Sequence, residues 1–457
     1  VIQWDAARLA AVAQARLLSG GDEPVGAAPG PRRATIDSRE VRPGDLFVGL
    51  EGEREDGGAY AAQALDAGAW GVLVAPEHAA ALPAATPSAV LAHPDPLAAL
   101  QTLAGAWRRE LGARVVAITG STGKTSTKDI LAAVLGARLR TVASPENLNT
   151  EIGLPLAVLA APPGTEALVL ELAMRGPGQI AELMAIAAPD VGVIVNVGPV
   201  HLELLGSLEA VAAAKAELIA GLQAGSTVVL PEGEPLLDPH RREDLRTVTF
   251  GEEGDVRLLA QEQGEIVVGV GAERIVLRPS FAQSHNLRNL LAAIAAARAL
   301  GVTPQGSLEV AFSALRGQRI ALRDEIVLIE DCYNANPMSM RAALDDLAAT
   351  APARRAAVLG DMLELGAKEK LFHREVGAYA QERGVDLLLA VGPLAAEMRE
   401  SFHAGEIHRL PDAEAAAELL PTLLRARDTV LVKGSRGVGL ERVGQVLRAR
   451  RSRREES

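Results

Sequence analysis

The sequence predicts an α/β protein of three domains. Three observations carry that prediction. The 457 residues suffice for about three domains at ~150 residues each. From residue 115 short β-branched runs alternate with helical stretches, the pattern of a mainly parallel sheet covered by helices. Near Gly317 the alternation starts afresh, as in a Rossmann-like fold. The expected division is an N-terminal mixed α/β domain over 1–110, a central domain with a mainly parallel sheet over 111–317, and a C-terminal Rossmann-like domain over 318–457.

In the first domain "LFVGL" (46–50) and "WGVLVA" (70–75) read as strands. The Pro-rich stretch 82–96 reads as loop around one short strand. The run 96–113 is helical and leads into the second domain. There "VVAIT" (115–119), "ALVLELA" (167–173) and "VGVIVNVG" (191–198) are buried strands, and 207–222 is a helix. Residues 245–280 break into short segments at Gly and Glu and are expected to form an antiparallel patch. "SHNLRNLLAAIAAARALG" (284–301) is a helix ending on glycine. In the third domain the strands are expected within 325–333, 354–362, 385–392 and 428–435, and the charged tail "RARRSRREES" is expected to fray.

Composition narrows the function. Apolar residues make up 48% and aromatic residues 3%, so the cores must be built from Ala, Leu and Val. A net charge of −12 argues against nucleic acid or an anionic membrane as partner, since such binders carry a basic face. The single cysteine, Cys332, excludes an intrachain disulfide and fits a reducing compartment. No basic segment followed by an apolar run opens the chain, so no signal peptide is read there. No uncharged apolar run reaches ~20 residues, so no membrane insertion is expected. A cytoplasmic location and a monomeric state are the expectations.

The stretch "ITGSTGKTSTKD" (118–129) carries the chemistry. It follows a strand and opens a helix near Lys124. Gly120 and Gly123 allow backbone N–H groups to approach phosphate oxygens, and a helix N-terminus adds positive potential. Lys124 is placed to reach the β- and γ-phosphates, and Thr125 to offer its hydroxyl to Mg²⁺. In isolation, a glycine turn with a capping threonine would look the same. The usual spacing G-x-x-x-x-G-K-[ST] is absent: Gly120 stands only three places before Gly123.

That shorter spacing, T-G-[ST]-x-G-K-[TS], resembles the Mur ligases, here as Thr119, Gly120, Ser121, Thr122, Gly123, Lys124 and Thr125. The stretches 36–60, 144–159, 171–183, 196–218, 331–344, 358–366 and 430–443 resemble the same family in the expected order and cover nearly the whole chain. Two positions depart from it. Gly58 stands where the family often has histidine after Asp-Gly, and Met338 where a small or acidic residue is common.

The resemblance implies an ATP-dependent ligase of peptidoglycan synthesis. ATP would phosphorylate the terminal carboxylate of UDP-N-acetylmuramoyl-tripeptide, and the amine of D-alanyl-D-alanine would attack the acyl phosphate. Two Mg²⁺ sites are implied: Thr125 beside the phosphates, and Glu171, His201 and Lys215, the last as a carbamate. Gly120, Ser121, Thr122, Gly123, Lys124, Thr125 and Ser126 would bind the nucleotide together with Asn286, Asn289, Arg319, Asp331 and Tyr333. Substrate would meet Ser38, Arg39, Asn147, Asn149, Thr150, Asn334, Asn336, Lys433 and Ser435, with Arg436 nearby. Glu146 and Glu151 lie in the same polar loop as Asn147.

Blander readings exist for most of these residues. Glu171 and His201 end strands, where functional groups of parallel sheets gather, but a capping carboxylate or a structural histidine would look alike. Lys215 lies in an Ala-rich helix and by itself reads as a solvated lysine. Asn286 or Ser284 would serve as a helix cap, Tyr333 as core, and Lys433 with Arg436 as an exposed turn. Rival functions are a sister ligase adding another amino acid, a P-loop switch protein, and a non-catalytic UDP-sugar-peptide binder.

Overall fold

The computed structural model describes residues 4–19, 30–83, 86–145 and 147–452. Three sheets form. The first has five strands in the order Arg16–Ser19, Ala89–Ala92, Gly71–Val74, Leu46–Val48, Ala34–Thr35; only the pair Arg16–Ser19 with Ala89–Ala92 is antiparallel.

The central sheet has ten strands. Third from one edge lies Arg114–Thr119, flanked in parallel by Ala167–Glu171 and Val191–Ile194. Apart from the exposed Arg114 all three are buried, and their interiors are apolar, as strands covered on both faces must be; polar Thr119 and Glu171 stand only at carboxyl ends. Their carboxyl ends therefore point the same way, and whatever follows them is gathered at one edge of the sheet. The expected antiparallel patch is only partly so. Arg246–Phe250 pairs in parallel with Thr227–Pro231, while Val256–Glu262, Glu265–Val270 and Glu273–Pro279 form antiparallel hairpins on the same sheet. Side-chain alternation marks a strand but not its direction, which depends on a partner elsewhere in the chain.

The third sheet orders Gln318–Ala321, Val327–Glu330, Thr429–Lys433, Arg355–Gly360, Leu387–Val391 and Glu406–Leu410, all parallel except the first. Among the described residues no helix is long and apolar enough to cross a membrane.

The helix Pro96–Leu111 joins the first sheet to the second. Asp95 caps its start by accepting from Ala98 N–H, and Gly112 closes it in a left-handed conformation. Its buried face, Leu100, Leu103 and Trp107, lies in one core with Leu46, Leu73 and Leu91 of the first sheet and Val115 and Leu168 of the second. Trp107 meets Trp4 edge to face at 5.6 Å and donates its indole N–H to Ala161 O at 3.0 Å. Trp107→Ala should therefore destabilise the protein by ~3–5 kcal/mol, read as a lower urea midpoint. Leu204→Ala, at an exposed position, should leave the midpoint unchanged.

Candidate active site

The carboxyl edge of the central sheet faces the third sheet across a cavity of about 880 Å³. The loop after Thr119 lies at its floor. Its first intrahelical bond runs from Thr127 N–H to Gly123 O at 2.8 Å. The N–H groups of Lys124, Thr125 and Ser126 thus precede the helical ladder and remain available to an anion. Gly123 has φ +76°, and a Cβ there would sit 2.7 Å from the Asn289 side-chain oxygen, so no other residue fits without displacing Asn289. Two loop amides are already engaged. Ser121 N–H and Thr122 N–H both donate to Asn196 Oδ1, at 3.0 and 2.9 Å, and the Asn196 amide donates back to Thr122. Asn196 straps the loop in shape. The sequence signalled this only by placing an asparagine just after a strand end.

Lys124 Nζ donates to Gly120 O at 2.8 Å. Desolvation lowers its pKa, with Glu171 opposing and Arg316 adding to the effect. The Glu171 carboxylate is buried and accepts from Thr125 Oγ1 and from Asn149 Nδ2, each at 2.8 Å. Arg316 donates to Thr125 Oγ1 at 3.1 Å, and its guanidinium lies 4.0 Å from the Tyr333 ring centroid. Arg316 thereby closes the cleft from the third sheet's side. Sequence reading missed it, favouring Arg319. The structure places Arg319 on Asp346 and Thr350, both at 2.7 Å, outside the cavity lining.

Lys215 is buried on the helix Leu208–Gly221 and forms no ion pair among the described residues. Burial holds its pKa well below the lysine range, and the Lys124 charge lowers it further. Its amine is thus poised to be neutral, the form that can add CO₂. His201 lines the cavity, and its Nδ1 lies 2.5 Å from Glu364 Oε2. Burial lowers the imidazole pKa, opposed by Glu364.

Among the described residues no three His, Cys, Asp or Glu side chains converge into a metal cage. Mg²⁺ does not require one. It keeps waters and phosphate oxygens and takes one or two protein oxygens, which the adjoining Thr125 hydroxyl and Glu171 carboxylate can supply.

Across the cleft, Asp331 pairs with Lys433 at 2.7 Å, and Lys433 also donates to Asn334 O at 3.1 Å. Asn286 and Asn289 line the cavity one helical turn apart, their side chains 3.4 Å from each other. Neither Ser284 nor Asn286 caps that helix, whose N-cap is Gln283 without a side-chain cap bond. His285 joins the lining with a buried Nδ1 that has no hydrogen-bond partner among the described residues. Asn147, Asn149, Thr150 and Glu151 also line the cavity; Glu146 lies outside the described residues.

Several candidates have other partners. Asn336 forms a capping box with Ser339 at the helix Pro337–Thr350. Ser435 accepts from Leu363 N–H at 3.0 Å and does not line the cavity, and Arg436 pairs with Glu441 at 3.6 Å. In the first domain Asp37 caps the short helix Ser38–Glu40 and holds the Arg39 guanidinium, which lowers the Asp37 pKa to about 2.

Both departures from the family pattern have a physical counterpart. A Cβ on Gly58 would lie 2.2 Å from the His78 ring, and His78 Nε2 pairs with Asp56 at 2.6 Å. An imidazole from elsewhere in the chain thus occupies the space beside Gly58. Met338 is pressed against Gly198, where a Cβ would come 1.9 Å from its sulfur.

Comparison with known proteins accords with this geometry. Residues 33–108 match the model of the Mur ligase family catalytic domain, 118–297 the Mur ligase middle domain, and 315–436 the Mur ligase glutamate ligase domain. Over 419 residues the chain is 35% identical to the UDP-N-acetylmuramoyl-tripeptide–D-alanyl-D-alanine ligase of Bacillus subtilis, covering 89% of this chain and 91% of that one. Among solved structures, MurF from Acinetobacter baumannii superposes with a TM-score of 0.84 at 28% identity, covering 97% of this chain and 98% of that one. MurF from Thermotoga maritima, in complex with ADP, superposes at 0.78 with 30% identity, covering 93% and 98%.

Proposed function

The chain belongs to the Mur ligase family, and we propose that it is the member that joins D-alanyl-D-alanine to UDP-N-acetylmuramoyl-tripeptide at the expense of ATP. One observation carries the reading. The Lys124–Thr125 loop and the Glu171 carboxylate share a single cleft with Asp331 and Lys433 of the third sheet. Such a cleft can hold a nucleotide against a carboxylate and then admit an amine.

The reaction runs in two steps. A carboxylate oxygen of the tripeptide bonds to the γ-phosphorus while the bond to ADP breaks. The D-alanyl-D-alanine amine then attacks the acyl carbon, inorganic phosphate leaves, and the amine gives up its proton. Both reactants of the first step are anions, so the site must supply positive charge. Lys124 and the free N–H groups at its helix start do so beneath the phosphates, and Arg316 does so from the facing sheet. Mg²⁺, held by Thr125 and Glu171 and, in a second site, by Glu171, His201 and carbamylated Lys215, would supply charge neutralisation between phosphate and carboxylate.

Asn286, Asn289 and Asp331 are assigned to the nucleotide. Tyr333, whose ring carries the Arg316 guanidinium, is assigned to the nucleotide as well. Asn147, Asn149, Thr150, Asn334 and Lys433 are assigned to the peptide substrates, and Ser38 with Arg39 to the uridine diphosphate. Asn336 lines the cleft while capping the helix Pro337–Thr350, and Ser435 supports Leu363 from outside the lining. A monomeric state and a cytoplasmic location, where ATP is available, belong to the same proposal.

Carbamylation has its own signature. The amine adds CO₂ only when neutral, so the depressed pKa of Lys215 favours the adduct, and falling pH disfavours it. Removing CO₂ should lower turnover, and bicarbonate should restore it, with more required at lower pH. Lys215→Ala should be slow at every bicarbonate concentration. Equal rates with and without CO₂ would exclude the carbamate.

The function itself is tested by ADP release with tripeptide substrate, Mg²⁺ and ATP. Turnover with D-alanyl-D-alanine and not with single amino acids is expected. Turnover with a single amino acid would reassign the acceptor, and ATP binding without acceptor-dependent turnover would favour a switch protein.

A further inference from the structure

The stretch "VLGDMLELG" (358–366) stood out in the sequence, yet the reaction outlined above gives it no part. The structure carries it across the cleft. Glu364, on the loop after the third-sheet strand Arg355–Gly360, places Oε2 2.5 Å from Nδ1 of His201, a residue 163 positions away on the central sheet's side. The contact is built from both backbones. Glu203 N–H donates to Glu364 O at 3.3 Å. Gly366, at φ +64°, lets its chain lie close against Glu203, where a Cβ would approach backbone at 3.2 Å. Arg175, also from the central side, reaches Glu364 Oε1 at 3.8 Å.

Both partners hold an unusual conformation. His201 has φ +52° and Glu364 φ +63°, the left-handed region that non-glycine residues seldom enter. Such a residue is strained and persists where its surroundings dictate it. Two of them meeting across a domain boundary mark a contact that the fold maintains against strain.

We propose that Glu364 is a positioning residue that completes the metal side of the site only when the third domain is docked. The inference rests on the reading of His201 as a metal ligand. A carboxylate at Nδ1 takes the Nδ1–H hydrogen bond, leaving Nε2 unprotonated as the lone-pair donor and fixing the ring's orientation. The carboxylate that does this comes from the domain on the far side of the cleft. Undocking the third domain removes it, and His201 then loses both its tautomer and its rotamer support. Activation of the carboxylate would thereby be tied to docking of the domain that carries Asp331 and Lys433.

The test compares wild type with Glu364→Ala and Glu364→Gln. Nitrogen NMR of histidine-labelled, metal-free protein reads the His201 tautomer, assigned with His201→Asn. Wild type should show the Nδ1–H form; Glu364→Ala should shift toward Nε2–H. Glu364→Gln, which retains an acceptor oxygen, should stay near wild type. In turnover assays, the Mg²⁺ concentration for half-maximal rate should rise about 10- to 100-fold in Glu364→Ala, with KM for ATP changed much less.

An unchanged tautomer and unchanged Mg²⁺ requirement in Glu364→Ala would overturn the proposal. So would a tautomer shift without any change in Mg²⁺ requirement. If Glu364→Ala fails to fold, Glu364→Gln decides: loss of the Nδ1–H form there would contradict the positioning role. Absence of ligase turnover in wild type would count against the function, while the tautomer measurement would still report on the Glu364–His201 contact.

Discussion

Replacing Lys124 with methionine should lower kcat for ADP release by about 10²–10³-fold or more, the range for removing a preorganised charge from a reacting phosphate or oxyanion. KM for ATP should rise as well. The lysine is held in place by its bond to Gly120 O and is desolvated by the surrounding protein, so its charge acts in a medium that screens it weakly. Methionine fills similar volume without the cost of desolvating a charge. The thermal midpoint should therefore hold or rise while activity collapses. A second readout follows from the effect of Lys124 on Lys215. Without the neighbouring charge the Lys215 amine protonates more readily, and any residual activity should need more bicarbonate than wild type. Loss of activity together with a lower melting temperature would instead mean that the loop had unfolded.

Glu171→Gln is expected to cost a similar amount, about 10²–10³-fold in kcat, with a higher Mg²⁺ requirement. The substitution keeps the volume and changes what the group can accept. Both carboxylate oxygens now accept a bond, one from Thr125 and one from Asn149. Glutamine has one acceptor oxygen and an amide that donates. Thr125 can reverse its bond and accept from the new amide while Asn149 keeps the oxygen, but the anionic oxygen beside the phosphates is lost. A structural carboxylate would behave otherwise: the variant would melt lower yet keep its Mg²⁺ dependence. Steady-state kinetics over a Mg²⁺ series separates the two.

These two residues also show what a sequence can convey. The strand Arg114–Thr119, the glycine loop and the helix from Lys124 were legible because local pattern and local chemistry agree there. Glu171 and His201 were visible as polar residues at strand ends. Their roles came from the family resemblance, since a capping carboxylate and a structural histidine produce the same local pattern. Lys215 was further out of reach. An Ala-rich helix says nothing of which face is buried, and only the packed structure shows the lysine desolvated beside Lys124.

The residues that sequence reading missed share one property: they act over long range. Asn196 reaches back to the loop about 75 positions earlier, Arg316 contacts Thr125 191 positions away, and Glu364 contacts His201 across the cleft. No local spacing records such contacts. The short strands Ala34–Thr35, Thr141–Ala143 and Gly306–Leu308 were likewise unread, because two or three residues do not establish a period. Arg319 illustrates the converse. It sits three residues from Arg316, on the strand Gln318–Ala321, with Gly317 at φ +74° between the two; Arg316 enters the cleft and Arg319 turns to Asp346.

Inside this cleft the substrate carboxylate should be activated as an acyl phosphate. The most direct measurement is isotope transfer. Tripeptide substrate labelled with ¹⁸O in its terminal carboxylate is converted with ATP and D-alanyl-D-alanine, and the released phosphate is analysed by mass spectrometry. An acyl-phosphate route carries one carboxylate oxygen into the phosphate, so the product phosphate should contain one ¹⁸O. Unlabelled phosphate, with normal formation of the peptide product, would contradict the claim.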